Sequence, residues 1–210
     1  MFKSNILVNG VFLVLLISIS GCGTEPTKPQ GTPDGDGQAT PLSSSSSKPV
    51  NISNADKEKF RDAITALNNG DDSNSLRLFN ELIRNNPNLA GPYTNLALMH
   101  YNKQEYEKSL KLTEKALKLN PDQAQAYNLR GQLNITAGKV HEAKADYLSA
   151  VKLKPNYTNA HYNLALLYDI YLQEIELAIK HYQIYTSLLK KPDPATLDWI
   201  NHLKGTLSNE

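Results

Sequence analysis

The amino-acid sequence predicts an all-α solenoid of antiparallel helix pairs with a C-terminal capping helix. Three observations lead there. Pro87, Pro121 and Pro155 stand at equal intervals of 34 residues (121 − 87 and 155 − 121), a period that belongs to stacked helix pairs. Between the prolines the residue classes repeat as well. Tyr93, Leu96, Ala97, Ser109, Ala116 and Pro121 are answered by Tyr127, Arg130, Gly131, Ala143, Ala150 and Pro155. Within each period the apolar residues recur every three or four positions, the spacing of one helical face and not of a strand.

Before the repeats comes a segment that reads as targeting rather than fold. Lys3 gives residues 1–21 a positive start, and Ile6 to Ile19 is an apolar run of 14 residues (19 − 6 + 1), short of the ~20 that a spanning helix needs. It ends in Ile19-Ser20-Gly21-Cys22, which resembles the lipobox of bacterial lipoproteins: an aliphatic residue, two small ones, then cysteine. The resemblance implies cleavage before Cys22, a diacylglyceryl group on its sulfur and an acyl chain on the new amino terminus. Two or three chains hold a protein stably at a bilayer where one does so only marginally. The alternatives are an ordinary secretory signal cleaved nearby and an uncleaved anchor. Gly23 in place of Asp implies, by the sorting rule of enterobacterial lipoproteins, an outer-membrane protein facing the periplasm.

Residues 22–50 then read as the lipidated cysteine and a flexible linker. Thr24 to Val50 is rich in Pro, Gly, Thr and Ser and nearly free of large apolar side chains. Such a composition buries too little surface to repay ordering. A chain of this kind has a root-mean-square reach of roughly 30 Å. Asp34-Gly35-Asp36-Gly37 lacks the further ligands and the closing glutamate of a calcium loop and reads as linker.

The folded part is expected over 51–192 as four repeats, 56–89, 90–123, 124–157 and 158–192. In the first, Phe60, Ala63, Ile64 and Leu67 make one apolar face, which Gly70 ends, and Leu76, Phe79, Leu82 and Ile83 make the next. Asp62 stands where the second repeat has Leu96, as suits a polar terminal repeat. The second repeat predicts one helix over Pro92 to Asn102 and another over about Tyr106 to Leu119. Asn120-Pro121 stops the latter, because the residue before proline is pushed out of helical geometry. Small residues mark close crossings: Ala97, Gly131 and Ala165 on first helices, Ser109, Ala143 and Ala178 on second helices. Gly138 sits at the turn inside the third repeat, where a positive φ is easy for glycine. In the fourth, His161, Leu164, Ala165 and Tyr168 hold first-helix positions, Ala178 and Tyr182 lag the period by one, and the second helix runs on to Lys191. Residues 193–210 form the capping helix. Asp193 is its N-cap and Pro194 its first residue. Leu197, Ile200 and Leu203 are expected against the last repeat, with Trp199 over its edge.

Composition narrows the function classes. The formal charge is +1, and without a leader containing Lys3 it is zero (22 − 1 basic against 21 acidic). Such a balance predicts no nucleic-acid binding. The single cysteine excludes an internal disulfide and a Cys-rich zinc site. Five histidines, His100, His141, His161, His181 and His202, fall in no metal-binding spacing. No nucleophile elbow and no Gly-rich phosphate loop is present. Asp71, Asp72 and Asp122 read as turn and helix-start residues rather than an acid–base pair. The sequence therefore predicts a non-enzyme with no cofactor, no metal and no small-molecule substrate.

The period and the slots just described resemble the tetratricopeptide repeat family over about residues 56 to 192. What the resemblance implies is a concave groove, lined by the first helix of each pair, that takes a protein or peptide partner. Carried over by position, the first repeat supplies Arg61, Ile64 and Asn68. The second supplies Thr94, Asn95, Leu98, Tyr101 and Asn102. The third supplies Asn128, Gln132, Ile135 and Thr136, and the fourth Tyr162, Asn163, Leu166 and Asp169. Asn and Gln both donate and accept toward a peptide backbone, and Tyr offers flat area at little rotamer cost. The carboxylate clamp of the chaperone-tail binders in this family is not carried over. Asn95 matches one slot, but Phe60, Gln125 and Leu129 stand where that clamp has Lys and Arg. Lipoproteins of similar build include pilotins of type IV pili, assembly lipoproteins of Flp-type pili and adaptors of periplasmic proteases or cell-wall hydrolases. The expected role is therefore a periplasmic scaffold held to the membrane by acyl chains, in pilus or secretion-complex assembly or, alternatively, as such an adaptor.

Overall fold

The computed structural model describes Lys28 and residues 52–208. The expected leader, Cys22 and the linker apart from Lys28 lie outside the described residues. Among the described residues the chain forms nine α-helices, one π-helix and no strand. The first pair is α1 (Asn54–Asn68) with α2 (Asp72–Asn85), and the second is α3 (Ala90–Asn102) with α4 (Tyr106–Leu119). The third is α5 (Ala124–Thr136) with α6 (Val140–Leu153). In the fourth, α7 (Thr158–Leu166) continues into the π-helix (Leu167–Leu172) before α8 (Ile175–Leu188), and α9 (Pro194–Leu207) follows. Each second helix packs against its own partner and against the first helix of the next pair. Helix α9 meets α8 in the same way, so it takes the place of a fifth first helix. The first helices α3, α5 and α7 also touch one another along one face.

Local chemistry sets these boundaries. The Ser53 hydroxyl accepts the Asp56 amide at 3.0 Å to start α1, and Asp71 accepts the Asn74 amide at 3.1 Å to start α2. Asp193 caps α9 by accepting the Thr196 amide at 3.2 Å, with Pro194 in the first turn. Within each pair the chain reverses through one left-handed residue: Gly70 (φ 75°), Gln104 (φ 58°), Gly138 (φ 73°) and Gln173 (φ 55°). Their spacing is 34, 34 and then 35 (173 − 138). The extra residue is absorbed by the π-helix, whose wider turn accommodates one insertion without breaking the backbone ladder. The one-residue lag of Ala178 and Tyr182 has its physical cause there.

Two helix limits differ from expectation. Helix α3 begins at Ala90 rather than Pro92, because proline is tolerated in a first turn, where its missing N–H has no intrahelical role. Helix α8 stops at Leu188 rather than Lys191. Leu189 is already extended (ψ 140°), and Pro192 keeps Lys191 out of helical geometry. On α9, Ile200 and Leu203 are buried as expected, but Leu197 is 43% exposed.

The close crossings rest on small residues. The Ser109 hydroxyl donates to the carbonyl of Ala97 at 2.8 Å, across the α3–α4 contact. At Gly131 a Cβ would lie 2.5 Å from the Tyr147 ring, so glycine is what lets the buried Tyr147 seat against α5. The third repeat also carries a polar substitution inside its helix pair. Counting back one period, Arg130 and Asp146 occupy the slots of Leu96 and Leu112, which pack in one apolar cluster with side chains of the first repeat. Arg130 forks onto Asp146 through Nη2 at 2.6 Å and Nε at 3.0 and 3.1 Å. Asn134 donates to Asp146 Oδ2 at 2.9 Å. Among the described residues the largest apolar cluster lies at the C-terminal end, built on Tyr147, Tyr162, Tyr168, Tyr182, Tyr185, Ile200 and Leu203.

Candidate functional site

The face made by the first helices carries a cavity of about 190 Å3. Three successive repeats contribute to it. Tyr101 comes from α3, Gln132, Ile135 and Thr136 from α5, Asn163 and Leu166 from α7, and Leu167, Ile170 and Tyr171 from the π-helix; Tyr147 of α6 reaches it from behind. Ile170 and Tyr171 are 45% and 49% exposed although both are large and apolar or aromatic. Exposed apolar area of this kind, gathered at one cavity, marks an interaction site more often than scattered surface residues do. Tyr101 lies 5.6 Å from the Tyr106 ring. Burial, with a smaller contribution from Tyr106, pushes its hydroxyl pKa up, so the hydroxyl stays protonated and able to donate. The lining thus combines an apolar floor with the amides of Gln132 and Asn163. Such a set can hold one side chain of a peptide while engaging its backbone. Among the described residues no ionisable nucleophile–base pair lines the cavity.

Six residues read from the sequence meet at this cavity: Tyr101, Gln132, Ile135, Thr136, Asn163 and Leu166. Leu98 packs beside Tyr101 against Leu129 and Leu133. Arg61, paired with Glu58 at 2.6 Å, and Asn68 are exposed on α1, and Ile64 packs into the first apolar cluster. Asn102 is exposed at the end of α3. None of these five lines the cavity.

Four expected groove residues prove to be interior, and the expectation is corrected for them. The Thr94 hydroxyl donates to Gln123 at 2.6 Å and is closed off between α3 and the start of α5. Asn95 is 1% exposed and donates to the Gly91 carbonyl at 2.9 Å. Asn128 accepts from Asn163 at 2.9 Å, tying α5 to α7. Tyr162 is 2% exposed, edge-on to Tyr182 at 6.1 Å and tilted on Tyr185 at 4.9 Å, so it is a core side chain. Thr94 and Asn128 are shut by the lateral packing of neighbouring first helices, and Tyr162 by the facing helix α8.

Asp169 stands apart from the cavity. Its Oδ2 accepts the Tyr182 hydroxyl at 3.1 Å and the Trp199 indole N–H at 3.0 Å, and it pairs with the Lys28 ammonium at 3.0 Å. Sequence reasoning did not anticipate Ile170, Tyr171, Trp199 or Lys28 in these sites. The only signal for the first two was the one-residue lag, which places the inserted turn beside the cavity.

Two stretches match family models described as tetratricopeptide repeat, over residues 90–123 and 124–157. The fold is a tetratricopeptide-repeat solenoid. Protein O-mannosyl-transferase TMTC3 of Mus musculus is 39% identical to the chain over 83 residues, which is 39% of this chain and 9% of that protein. The peroxisomal targeting signal receptor of Saccharomyces cerevisiae is 34% identical over 71 residues, 34% of this chain and 12% of that receptor. The chain therefore spans only a small part of these curated relatives. Among solved structures, the MamA protein superposes with a TM-score of 0.55 at 20% identity, covering 73% of this chain and 85% of that one. The first TPR of Spaghetti (RPAP3), bound to the HSP90 peptide SRMEEVD, gives 0.51 at 18%, covering 57% and 93%. At such identities the likeness is one of fold.

Proposed function

We propose that the chain is a periplasmic scaffold, held to the outer membrane through acyl chains on Cys22, that binds a protein partner along its first-helix face in the assembly of a pilus or secretion complex. The observation that carries the binding half is the cavity shared by α3, α5, α7 and the π-helix, with Tyr101, Gln132 and Asn163 among its walls. A related repeat module binds a peptide, SRMEEVD, which supports an extended peptide as the ligand. The chemistry differs from that acidic tail, since Phe60, Gln125 and Leu129 occupy the slots where a carboxylate clamp has cations. An apolar or aromatic side chain flanked by backbone amides is the ligand this cavity suits.

Site-specific photo-crosslinking in cells tests the groove directly. A probe at Tyr101 gives one product, while a probe at the exposed Lys111 of α4 gives none; the reverse pattern moves the partner to another face. The identity of the product separates an assembly factor, which captures a secretin or pilus component, from an adaptor, which captures a hydrolase or protease. Tyr101→Ala weakens binding of that partner at least tenfold, or about 1.4 kcal/mol, with helicity unchanged by circular dichroism. Binding at full strength would remove Tyr101 from the site.

The membrane half is tested separately. Cys22→Ser leaves full-length precursor and abolishes incorporation of labelled palmitate. Unchanged labelling in that variant would end the lipoprotein reading while leaving the groove reading in place.

A further inference from the structure

The second helices repeat one position with different chemistry. The ninth residue after the left-handed residues Gly70, Gln104, Gly138 and Gln173 is Phe79, Thr113, Tyr147 and Tyr182 (79 − 70, and likewise for the others). Phe79 has no polar atom to satisfy. The Thr113 hydroxyl donates to the Ser109 carbonyl at 2.8 Å, and the Tyr182 hydroxyl donates to Asp169 at 3.1 Å. Tyr147 is 3% exposed, yet among the described residues its hydroxyl has no hydrogen-bond partner. Buried polar groups are nearly always paired, and each exception has a cause.

The cause lies in where the ring ends. A Cβ at Gly131 would meet the ring edge at 2.5 Å and Cζ, the carbon that bears the hydroxyl, at 3.0 Å. The tip of the ring is therefore level with α5, at the one position there without a side chain to block it, and Tyr147 lines the cavity. Burial, then the neighbouring Tyr101 and Tyr171, push the hydroxyl pKa up, so the group stays protonated and donates. Asn163, also in the lining, is 7% exposed and donates through Nδ2 to Asn128 at 2.9 Å. Its Oδ1 has no partner among the described residues. The cavity thus holds one donor and one acceptor, both from side chains more than nine-tenths buried. Ile135, Leu166 and Ile170 supply apolar wall, and among the described residues no charged side chain lines it.

We infer that this cavity selects a tyrosine side chain of the partner, whose ring lies against the apolar walls while its hydroxyl accepts from Tyr147 and donates to Asn163. The inference rests on the groove reading above and names the residue that fills the cavity. Size permits it: an apolar cavity of about 150 Å3 takes a benzene ring, and this one measures about 190 Å3. Phenylalanine or leucine fits the walls but leaves the Tyr147 hydroxyl and the Asn163 carbonyl dry and unpaired, which is the costly outcome for a buried polar group. A carboxylate accepts from Tyr147 but meets the Asn163 carbonyl and no cation. A glutamine carboxamide satisfies both groups and covers less of the apolar wall. A phenol hydroxyl, both donor and acceptor at the end of a flat apolar ring, matches all of them.

The experiment titrates the full chain in non-ionic detergent with blocked pentapeptides Ser-Ala-X-Ala-Ser, where X is tyrosine, phenylalanine, glutamine or glutamate. The side-chain amide signals of Gln132 and Asn163 report binding by NMR. The expected result is a dissociation constant for the tyrosine peptide at least tenfold below the other three, since a site built around a hydroxyl rejects the analogue without it. In Tyr147→Phe the preference for tyrosine over phenylalanine falls to about twofold or less. Because the Tyr147 hydroxyl ties nothing together inside the protein, that variant keeps the denaturant midpoint of the wild type, whereas Tyr182→Phe, which loses the bond to Asp169, lowers it. Equal binding of the tyrosine and phenylalanine peptides, or tighter binding of the glutamine or glutamate peptide, overturns the inference and leaves the groove reading standing. A midpoint for Tyr147→Phe as low as that of Tyr182→Phe makes the hydroxyl an internal tie and overturns the inference in the same way. Signals that none of the four peptides moves at millimolar concentration overturn it too, and crosslinking from Tyr101 then decides the groove reading on its own.

Discussion

Arg130→Leu lowers the stability of the array by about 2–3 kcal/mol, and adding Asp146→Leu returns most of that loss. The single change leaves the carboxylate of Asp146, 4% exposed, with only the Asn134 amide as a partner. Removing one member of a buried ion pair costs ~3–5 kcal/mol because the other charge stays behind uncompensated. The lower figure applies here because the Arg130 side chain is 31% exposed and water screens the pair. The double variant restores the leucine pair that the second repeat already carries at Leu96 and Leu112, in a backbone of the same period. Replacing both charges by well-packed apolar residues is commonly neutral or stabilising. Denaturant midpoints at constant m-value read the result. Equal losses in single and double variants would show that the site depends on the ions themselves and not on their mutual compensation.

Acidification from pH 6.5 toward 4 destabilises the fold by up to about 3 kcal/mol, and His181→Phe removes most of that dependence. His161 and His181 are buried and stacked at 5.2 Å. His161 Nε2–H donates to the Pro155 carbonyl at 2.9 Å, which leaves its Nδ1 to accept from His181 Nδ1–H at 3.0 Å. Both imidazoles are therefore neutral in the folded chain. Burial, then the neighbouring His161 and Lys180, lower His181 to about 4, and burial lowers His161 against the pull of the Pro155 carbonyl. An unfolded histidine titrates near 6.5, so between about 6.5 and 4 the unfolded chain binds protons that the folded chain refuses. Unfolding free energy then falls by ~1.4 kcal/mol per pH unit for each such group. The carboxylates act in a lower window. Asp56, held down by the Ser53 hydroxyl, and Asp193, where bonds from Thr196 and Tyr185 outweigh burial, lose their contributions only as pH falls below about 4. Midpoints measured every half unit separate the two windows. A flat profile from pH 7 to 5 in the wild type would mean that the pair is charged or hydrated in the folded state.

The helix pairs were legible in the sequence because a period of 34 forces the same residue classes into the same contacts. Gly131 could be read as a crossing because Ala97 and Ala165 hold its slot, and the structure supplies the reason in the Tyr147 ring. The cavity was half legible. Residues near the C-termini of first helices, such as Tyr101, Ile135 and Leu166, carry over by position, whereas Thr94, Asn95 and Asn128 do not. Positional transfer records which way a side chain faces on an isolated helix and not how tightly its neighbour closes over it. Ile170 and Tyr171 were signalled only by the one-residue lag, because a π-turn rotates everything after it and no propensity rule reports that rotation. Lys28 could not be read at all, since a basic residue in a Pro-rich stretch looks the same whether or not it finds a carboxylate.

The uneven distribution of the apolar clusters gives the array a direction under load. The first pair is held to the rest by Phe60, Phe79 and Leu82 against Leu96 and Met99, while the last pair and α9 close over the tyrosine-rich cluster. In a linear array each unit is held only by its neighbours. Tension applied at the start of α1 thus meets the smaller cluster first, so α1 and α2 can peel away while α5, α7 and the π-helix keep the cavity in shape. The first pair then yields length before the helices that line the cavity give way.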